Sequence, residues 1–241
     1  MLFFAKLFLN FFDKITLNKI FNYLKTIFDY EIDTVIDVGS HHGEYINNIN
    51  KNFQVRKIYG FEPSPLNFNK LIGRLSKEQN IEIFNLGIDK VKRNTILNQN
   101  IESSSSSINN LNSNSKYFKK KYFFFNFFKK KVFSRPVEIK TITLKDFIEN
   151  KKLKFIDILK IDTEGYEYNV IIGLGEKIKL IKAIHLEHHF DDMLLKNYKL
   201  TDIHKYLVNK GFKKSFKIKM KFRKSFEYIY ENIYFNKWKK N

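Results

Sequence analysis

Four acidic residues at the ends of apolar, strand-like runs are the residues of this 241-residue chain best suited to chemistry. Asp37 lies near the end of a β-branched run, and Glu62, Asp162 and Glu187 each end another. When strands alternate with helices, they form a parallel sheet whose carboxyl ends share one edge, where such folds bind ligands. We therefore expect these carboxylates to meet at one edge, where they can bind hydroxyl groups or accept a proton.

The segment from Gly39 to Gly43 predicts a tight turn between a strand and a helix. Such a turn places backbone N–H groups and a helix N-terminus beside a ligand. Glu62 follows about 20 residues further on, the spacing at which doubly wound folds present an acid to a ribose diol. This pair predicts a ligand that contains adenosine.

The glycine spacing of this turn argues against a dinucleotide. Gly43 comes four residues after Gly39, and one glycine of the G-x-G-x-x-G fingerprint is missing. The backbone therefore cannot come as close to a pyrophosphate as dinucleotide binding requires. An acidic strand end with G-x-x-x-G suits a ligand that has a sugar and an amino-acid part but no phosphate. S-adenosylmethionine is such a ligand. The alternative is a strand, turn and helix with a structural role alone.

Alternating strand and helix patterns continue along the chain, with irregular sequence between Leu86 and Val137. The predicted strands are Thr34–Val38, Lys57–Glu62, Ile81–Leu86, Val137–Ile142, Phe155–Ile161 and Lys182–Glu187, with two more near Phe212–Phe216 and Tyr228–Phe235. The predicted helices follow Gly43 and Gly165 and cover Pro65–Leu75, Leu144–Glu149 with Thr143 as N-cap, and Thr201–Asn209. This pattern predicts an α/β domain with a mostly parallel sheet and a late antiparallel edge.

The turn after Asp162 holds a second group of acids. Glu164 and Glu167 are three residues apart at the predicted start of a helix, so they can share one helical face. Asp162 ends the strand beside the turn at Gly165 and should point into the cleft. For Glu167 we favour a structural role, in which the acid caps the helix and balances its dipole.

Residues 1–30 form a predicted N-terminal helical segment ahead of a domain spanning 31–241. Their apolar and basic residues predict two short helices broken near Thr16–Asn18 and packed on the sheet. The uncharged stretch is shorter than the roughly 20 residues that a membrane span needs. The segment also lacks the features of a signal peptide. An interfacial anchor is the alternative.

A basic aromatic insertion is predicted near 101–135. The serine run Ser103–Ser107 is typical of a surface loop, and Lys116–Phe133 places aromatic residues between lysine clusters. Together with a net charge of +19, this composition could attract an anionic partner. The compositional bias of an AT-rich genome explains the same excess. The chain contains no cysteine, which excludes disulfides and thiolate sites.

The ordered set of motifs resembles the FkbM-type S-adenosylmethionine-dependent methyltransferases over roughly residues 30 to 190. The matching segments are Val35–Gly39 with Gly43, Gly60–Pro65, Ser103–Ser107, Thr141–Phe147 and Asp157–Glu167. The resemblance implies a class I methyltransferase (Rossmann-like) fold, with a mostly parallel seven-stranded sheet and helices on both faces. It also implies O-methylation, often of a sugar or a polyketide-like hydroxyl. The chain departs from the family's D-V-G-A-N-x-G turn at Ser40, His41 and His42, and from its L-D-D motif at Lys145.

The resemblance implies roles for individual positions. Asp37 and Gly39 would hold the methionine part of S-adenosylmethionine, and Glu62 would bind the ribose hydroxyls. Asp162 is our first candidate for the base that takes the hydroxyl proton, and His188 is the second. The remaining site residues are Ser40, His41, Gly43 and Pro63 for the cofactor, and Glu164 and Glu187 for the acceptor. His185 is expected to lie in the core.

No metal site is predicted. A Mg²⁺ site formed by Asp162, Glu164, Glu187 and His188 is an alternative that we do not favour, since the spacing does not demand it. We expect a cytoplasmic protein, at most peripheral to an anionic membrane, that acts on a small molecule or glycan rather than on nucleic acid. Two other classes stay open: a basic membrane- or nucleic-acid-binding module, and a non-catalytic relative with the same fold.

Overall fold

The computed structural model describes residues 2–75, 78–100, 106–112, 114–116, 119 and 134–235. Most of the predicted insertion near 101–135 lies outside these residues, including nearly all of Lys116–Phe133 and the first serines of Ser103–Ser107. The role predicted for that segment therefore stays a prediction.

The core of the molecule is a seven-stranded sheet with a second, three-stranded sheet beside it. The strands are β1 (Glu31–Val38), β2 (Gln54–Phe61), β3 (Ile81–Phe84), β4 (Gly87–Ile88), β5 (Arg93–Asn100), β6 (Ser134–Ile142), β7 (Ile156–Ile161), β8 (Ile181–His189), β9 (Phe212–Lys219) and β10 (Ser225–Asn232). The large sheet has the order β3-β2-β1-β7-β8-β10-β9. Its first five strands are parallel, and β10 is antiparallel to both β8 and β9. The predicted parallel sheet with an antiparallel edge is confirmed.

Helices cover both faces of this sheet. They are α1 (Leu2–Ile27), α2 (Glu44–Asn52), α3 (Pro65–Leu75), α4 (Leu144–Asn150), α5 (Glu167–Ile172) and α6 (Leu200–Asn209), with a 3₁₀ helix at Gly175–Leu180. Because successive strand residues point to opposite faces, Val35 packs with α1, α2 and α3, whereas Ile36 packs with α4, α5 and α6. Helices on both faces were predicted and are confirmed.

The N-terminal segment forms one helix rather than two. The break predicted near Thr16–Asn18 is wrong, because the Thr16 hydroxyl donates to the Phe12 carbonyl at 3.1 Å and is satisfied within the helix. Further along, Ile20 and Leu24 are fully buried against the sheet, as expected for a packed helix. Among the described helices, none combines the length and the apolar character needed to cross a membrane.

The smaller sheet was not predicted. Its order is β4-β6-β5, and β5 pairs antiparallel with β6 over eight residue pairs. The sequence of β5 is mostly polar and gives little strand signal, since Leu97 is its only buried hydrophobic residue. Leu97 lies two register positions from Ile139 of β6, which is also buried. Pairing with β6, rather than local propensity, therefore forms this strand.

Candidate functional site

The predicted site residues lie at or just after the carboxyl ends of β2, β1, β7 and β8, which are consecutive neighbours in the large sheet. The chain continues from β1 to β2 on one side, while β7 lies on the other side of β1. The carboxyl ends of β1 and β7 thus flank the point where strand order reverses, where open α/β sheets bind ligands.

The glycine turn after β1 is fixed by hydrogen bonds to both neighbouring strands. The N–H groups of Gly39 and Ser40 donate to the Phe61 carbonyl at 2.9 and 3.0 Å, and Asp162 N donates to the Val38 carbonyl at 2.9 Å. Gly39 has φ +89°, and a Cβ atom there would lie 1.8 Å from the Asp162 carbonyl oxygen. A glycine is therefore required by the close approach of this turn to the end of β7.

Gly43 and His41 complete the turn in the left-handed conformation, with φ values of 84° and 47°. A Cβ atom at Gly43 would lie 2.9 Å from Leu71 of α3, so this glycine lets α3 pack beside the turn. The Ser40 hydroxyl donates to the Asp37 carbonyl at 3.0 Å. These bonds hold the turn in shape around the end of β1.

Asp37 is 1 % exposed, and its Oδ2 atom has no hydrogen-bond partner among the described residues. Burial raises the pKa of this carboxyl to about 6, although the Ser40 bond and the charge of Lys160 oppose the rise. An unsatisfied buried carboxylate oxygen is costly on its own. A cationic donor, such as the ammonium group of an amino acid, fits this oxygen.

Glu62 joins the turn to the start of α3. Its two carboxylate oxygens accept the N–H groups of His41 at 2.8 Å and Ser64 at 2.9 Å. Burial raises the pKa of Glu62 to about 7 against these bonds. The Asn67 side chain also bonds this carboxylate, so about one of its four acceptor sites is left for a hydroxyl group. Pro63 follows, and its carbonyl accepts the Asn85 side chain at 3.1 Å.

The two acids of the second turn have different surroundings. Glu164 lies in the loop with φ +49°, and α5 begins only at Glu167, so the prediction that both acids share a helical face is wrong. Gly165 N donates to the fully buried Glu167 carboxylate at 2.6 Å, and the Tyr198 hydroxyl also contacts it. Tight turning at Gly165 leaves Glu164 outside the helix. Glu167 is thus held by the fold itself.

The two candidate bases lie in separate groups. Burial and the neighbouring Glu187 raise the pKa of Asp162 well above its usual range. His188 points to the other side of β8, where its Nδ1 atom lies 3.7 Å from Glu167. Alternation along β8 explains the split, since Glu187 and His188 are adjacent residues. The structure therefore places Asp162 with Glu187 and places His188 with Glu167.

His189 is a site residue that the sequence analysis did not select. Its Nε2 atom lies 3.3 Å from Glu187 and 3.5 Å from Glu164, and its Nδ1 atom lies 3.7 Å from Asp191. Burial lowers the pKa of this imidazole, but the three carboxylates outweigh burial and hold the pKa well above its usual range. The available signal was the two-residue spacing between Glu187 and His189, which puts both on one face of a strand.

A buried charged group lies beneath these acids. Glu227 accepts from Lys160 Nζ at 3.1 Å and lies 2.9 Å from His185 Nε2, while His185 Nδ1 lies 3.3 Å from the Tyr45 hydroxyl. His185 is fully buried, as expected for a core residue. Burial lowers the pKa of Lys160, but Glu227, Asp162 and Glu187 raise it more, so Lys160 stays charged beneath the site.

Two open depressions on the described surface are lined by residues other than these carboxylates. One of about 490 Å³ runs between α1 and β9, and one of about 420 Å³ lies near the amino ends of β1 and β2. Both are lined by lysine side chains and contain none of the predicted site residues. The grouping of acids around the glycine turn, rather than cavity size, locates the site.

Comparison with known proteins agrees with this geometry. A family model described as the methyltransferase FkbM domain matches residues 37–214, which include Asp37, Glu62, Asp162, Glu164 and Glu187. No curated protein matches the chain.

Solved structures with the same fold include three methyltransferases. Methyltransferase FkbM from Methylobacillus flagellatus KT aligns with a TM-score of 0.53 and 13% identity, covering 85% of this chain and 45% of that chain. An rRNA methylase from Streptococcus thermophilus aligns with a TM-score of 0.50 and 10% identity, covering 90% of this chain and 95% of that chain. N-methyltransferase NodS from Bradyrhizobium japonicum WM9 aligns with a TM-score of 0.51 and 6% identity, covering 92% of this chain and 97% of that chain.

These likenesses show the fold, and this chain spans less than half the length of the FkbM structure. The family model covers well over half of the chain and includes both the glycine turn and the Asp162 turn. The chain therefore belongs to the FkbM family of S-adenosylmethionine-dependent methyltransferases.

Proposed function

We propose that this chain transfers a methyl group from S-adenosylmethionine to a hydroxyl oxygen of a sugar, glycan or related small molecule. The observation that carries this proposal is the attachment of Asp162 to the glycine turn. Its backbone N–H bonds Val38 at 2.9 Å, and its carbonyl occupies the space that a Cβ of Gly39 would need. A titratable carboxylate is thus fixed beside the turn that binds the donor.

The residues at this edge fit the donor. The unpartnered Asp37 oxygen would bind the ammonium group of the methionine part, and the Gly39–Gly43 turn would pack beside it. Glu62 would bind a ribose hydroxyl with its remaining lone pair, while Pro63 borders the same edge. Neither role requires a phosphate-binding group, which agrees with the missing glycine of the dinucleotide fingerprint.

When bound, the donor supplies a methyl group on a positively charged sulfur. The acceptor oxygen forms a bond to the methyl carbon as the carbon–sulfur bond breaks, and the bonding electron pair stays on sulfur. Asp162 takes the hydroxyl proton, and its raised pKa makes it a stronger base than an exposed carboxylate. Alignment of the two substrates by the turn and by Glu164 and Glu187 supplies much of the remaining rate enhancement.

Labelled methyl transfer tests this function. We expect the chain to transfer label from the methyl donor to hydroxyl-bearing sugars or glycans, with turnover reduced about 100-fold or more in Asp162→Asn. Binding of S-adenosylhomocysteine should change little in that variant. Asp33→Asn, at the opposite end of β1, is the matched control and should retain turnover.

The acceptor panel should also contain RNA and amines, because relatives of this fold include an rRNA methylase and an N-methyltransferase. Transfer to RNA or amines with none to hydroxyl groups would refute the proposed acceptor class. Unchanged turnover in Asp162→Asn would instead reject Asp162 as the base.

A further inference from the structure

Donor atoms from two strand ends converge beside the proposed methyl-transfer position. One ligand atom each from Asp162, Glu164 and His189 all lie within 4.8 Å of one another. Asp162 and Glu164 follow β7, and His189 is the last residue of β8, which pairs in parallel with β7 so that Ile161 lies opposite Leu186. Donor atoms bound to one ion at about 2.1 Å lie roughly 3 to 4.3 Å apart, so small side-chain movements suffice to surround an ion.

The histidine is arranged as metal-binding histidines are. Its buried Nε2 atom faces Glu187 at 3.3 Å and Glu164 at 3.5 Å. The opposite ring atom, Nδ1, lies 3.7 Å from Asp191. Asp191 is itself held by the Met193 N–H at 2.9 Å. A carboxylate behind the imidazole fixes the ring so that the other nitrogen can bind a metal.

Charge also favours a cation here. Four carboxylates contact or adjoin His189: Asp162, Glu164, Glu187 and Asp191. Lys160 bonds Glu227 at 3.1 Å, Arg223 bonds Asp13 and Lys196 Nζ contacts the His189 carbonyl, so in the described part of the chain the His189 imidazole is the cationic group that directly faces these carboxylates. A divalent cation in place of the imidazole proton would offset more of the charge of these carboxylates.

We propose that Asp162, Glu164 and His189, with Glu187 beside them, bind a divalent cation of the Mn²⁺ type. Carboxylate oxygens suit Mg²⁺ and Mn²⁺, but Mg²⁺ favours sites made of oxygen alone, and an imidazole ligand shifts preference toward a transition metal. His188, which belonged to the Mg²⁺ alternative, is not a ligand of this site, because its side chain lies on the other side of β8 beside Glu167.

The catalytic role of this cation rests on the proposed function. An ion at this position would bind the acceptor hydroxyl and lower its pKa as a Lewis acid. Asp162 can bind the ion through one carboxylate oxygen and accept the hydroxyl proton with the other.

A second cluster in the same chain provides a matched control. His41 and His42 both approach Glu44, with Nδ1 to carboxylate distances of 3.2 and 3.8 Å. This cluster lies on the glycine turn, and the Glu44 side chain is 58% exposed. It has the residue types of a metal site without the surrounding acids of the His189 cluster.

Calorimetric titration with Mn²⁺ tests the site without any acceptor. We expect Mn²⁺ to bind the parent protein, with affinity reduced at least 10-fold in Glu164→Gln and in His189→Gln, and unchanged in Glu44→Gln. Pulsed electron paramagnetic resonance of bound Mn²⁺ should show coupling to a histidine nitrogen that disappears in His189→Gln. If His189→Gln does not fold, Glu164→Gln, a loop substitution, still decides the outcome.

Equal Mn²⁺ affinity in the parent and Glu164→Gln would overturn the site, as would a loss confined to Glu44→Gln. Binding of S-adenosylhomocysteine is measured in the same samples. If the protein binds S-adenosylhomocysteine but does not bind Mn²⁺, the metal site is rejected and the proposed methyl transfer stands. If it binds Mn²⁺ but does not bind S-adenosylhomocysteine, the metal site stands and the proposed methyl transfer is rejected.

Discussion

At the scale of single residues, the acids at the site edge are buried at a free-energy cost that their contacts within the protein do not fully offset. Asp37 and Glu62 both have raised pKa values, to about 6 and about 7, and burial is the largest cause for each. A fold retains such groups when a ligand offsets their cost. The donor's ammonium and ribose hydroxyls would provide that compensation.

Asp37→Asn tests the cost of this burial. Because the folded-state pKa of Asp37 is raised from 3.8 to about 6, the folded form keeps a proton that the unfolded chain releases, and stability falls as pH rises through that window. At about 1.4 kcal/mol per pKa unit, the variant should be more stable than the parent by up to about 3 kcal/mol at pH 7 and equally stable near pH 3.

Chemical denaturation across pH measures that difference, and binding of S-adenosylhomocysteine should weaken in the same variant. Asp33→Asn is the control at the exposed end of β1. A parent protein more stable than Asp37→Asn at pH 7 without ligand would show that Asp37 serves folding rather than binding.

The individual site residues were only partly predictable from sequence. Successive residues of β8 point to opposite faces, so His188 and Glu187 lie on different sides of the strand. The strand pattern alone was enough to predict this separation. Glu164 itself has a left-handed backbone conformation. This conformation keeps Glu164 in the loop, and α5 starts only at Glu167. Local sequence does not encode such a turn strongly, because residues other than glycine rarely adopt this conformation.

At the scale of elements, strongly periodic segments were predicted well. The helix predicted at Pro65–Leu75 has those bounds, and Thr143 caps α4 by accepting the Asp146 N–H at 3.0 Å. Polar β5 was missed because its pairing with β6 comes from a segment far along the chain. The continuous α1 was missed because Thr16 is compatible with a helix when its hydroxyl bonds a carbonyl one turn earlier.

A pair of glycines tests the account of the first turn. Gly39→Ala forces a Cβ against the Asp162 carbonyl at φ +89°, so we expect at least about 2 kcal/mol of destabilisation and loss of product binding. Gly73→Ala is the control, because among the described residues nothing lies within 4 Å of a Cβ built there, in α3. That change should stabilise the protein by about 0.5 to 1 kcal/mol.

Urea denaturation gives both free energies of unfolding, and calorimetry gives product binding. A Gly39→Ala protein as stable as the parent would contradict the close approach of the turn to β7. Destabilisation by Gly73→Ala would mean that α3 packs differently at that position.

At the scale of the whole molecule, the site edge adjoins a basic, partly apolar surface. The turn between β9 and β10 exposes Phe222 to 66% and carries Lys221, and Phe190 just after β8 is 49% exposed. Lys219 lies over the Phe190 ring at 5.9 Å. Aromatic residues among lysines suit the headgroup layer of an anionic membrane.

Binding to vesicles tests whether this charge is functional. Vesicles containing phosphatidylglycerol should bind the protein at low salt and release it as salt rises, because exposed charges are screened over about 10 Å at 0.1 M. Replacing Lys219 and Lys221 by Gln should weaken binding several-fold. Replacing Lys152 and Lys154, exposed near the amino ends of the strands, should have little effect.

Equal losses in the two double variants would show that the charge acts diffusely, as compositional bias predicts. Binding that does not respond to salt would exclude an electrostatic contact. Sedimentation with vesicles at two salt concentrations gives both answers.

We infer that the carboxyl edge of the sheet binds S-adenosylmethionine through Asp37, the Gly39 turn and Glu62. Thermal and chemical unfolding with S-adenosylhomocysteine measures this binding. A ligand at about 100 times its dissociation constant should add roughly 2.7 kcal/mol of stability to the parent protein. Glu62→Ala should lose most of that gain, whereas Glu78→Ala, an exposed acid beyond α3, should keep it. Stabilisation by NAD with none by S-adenosylhomocysteine would show that this edge does not bind S-adenosylmethionine.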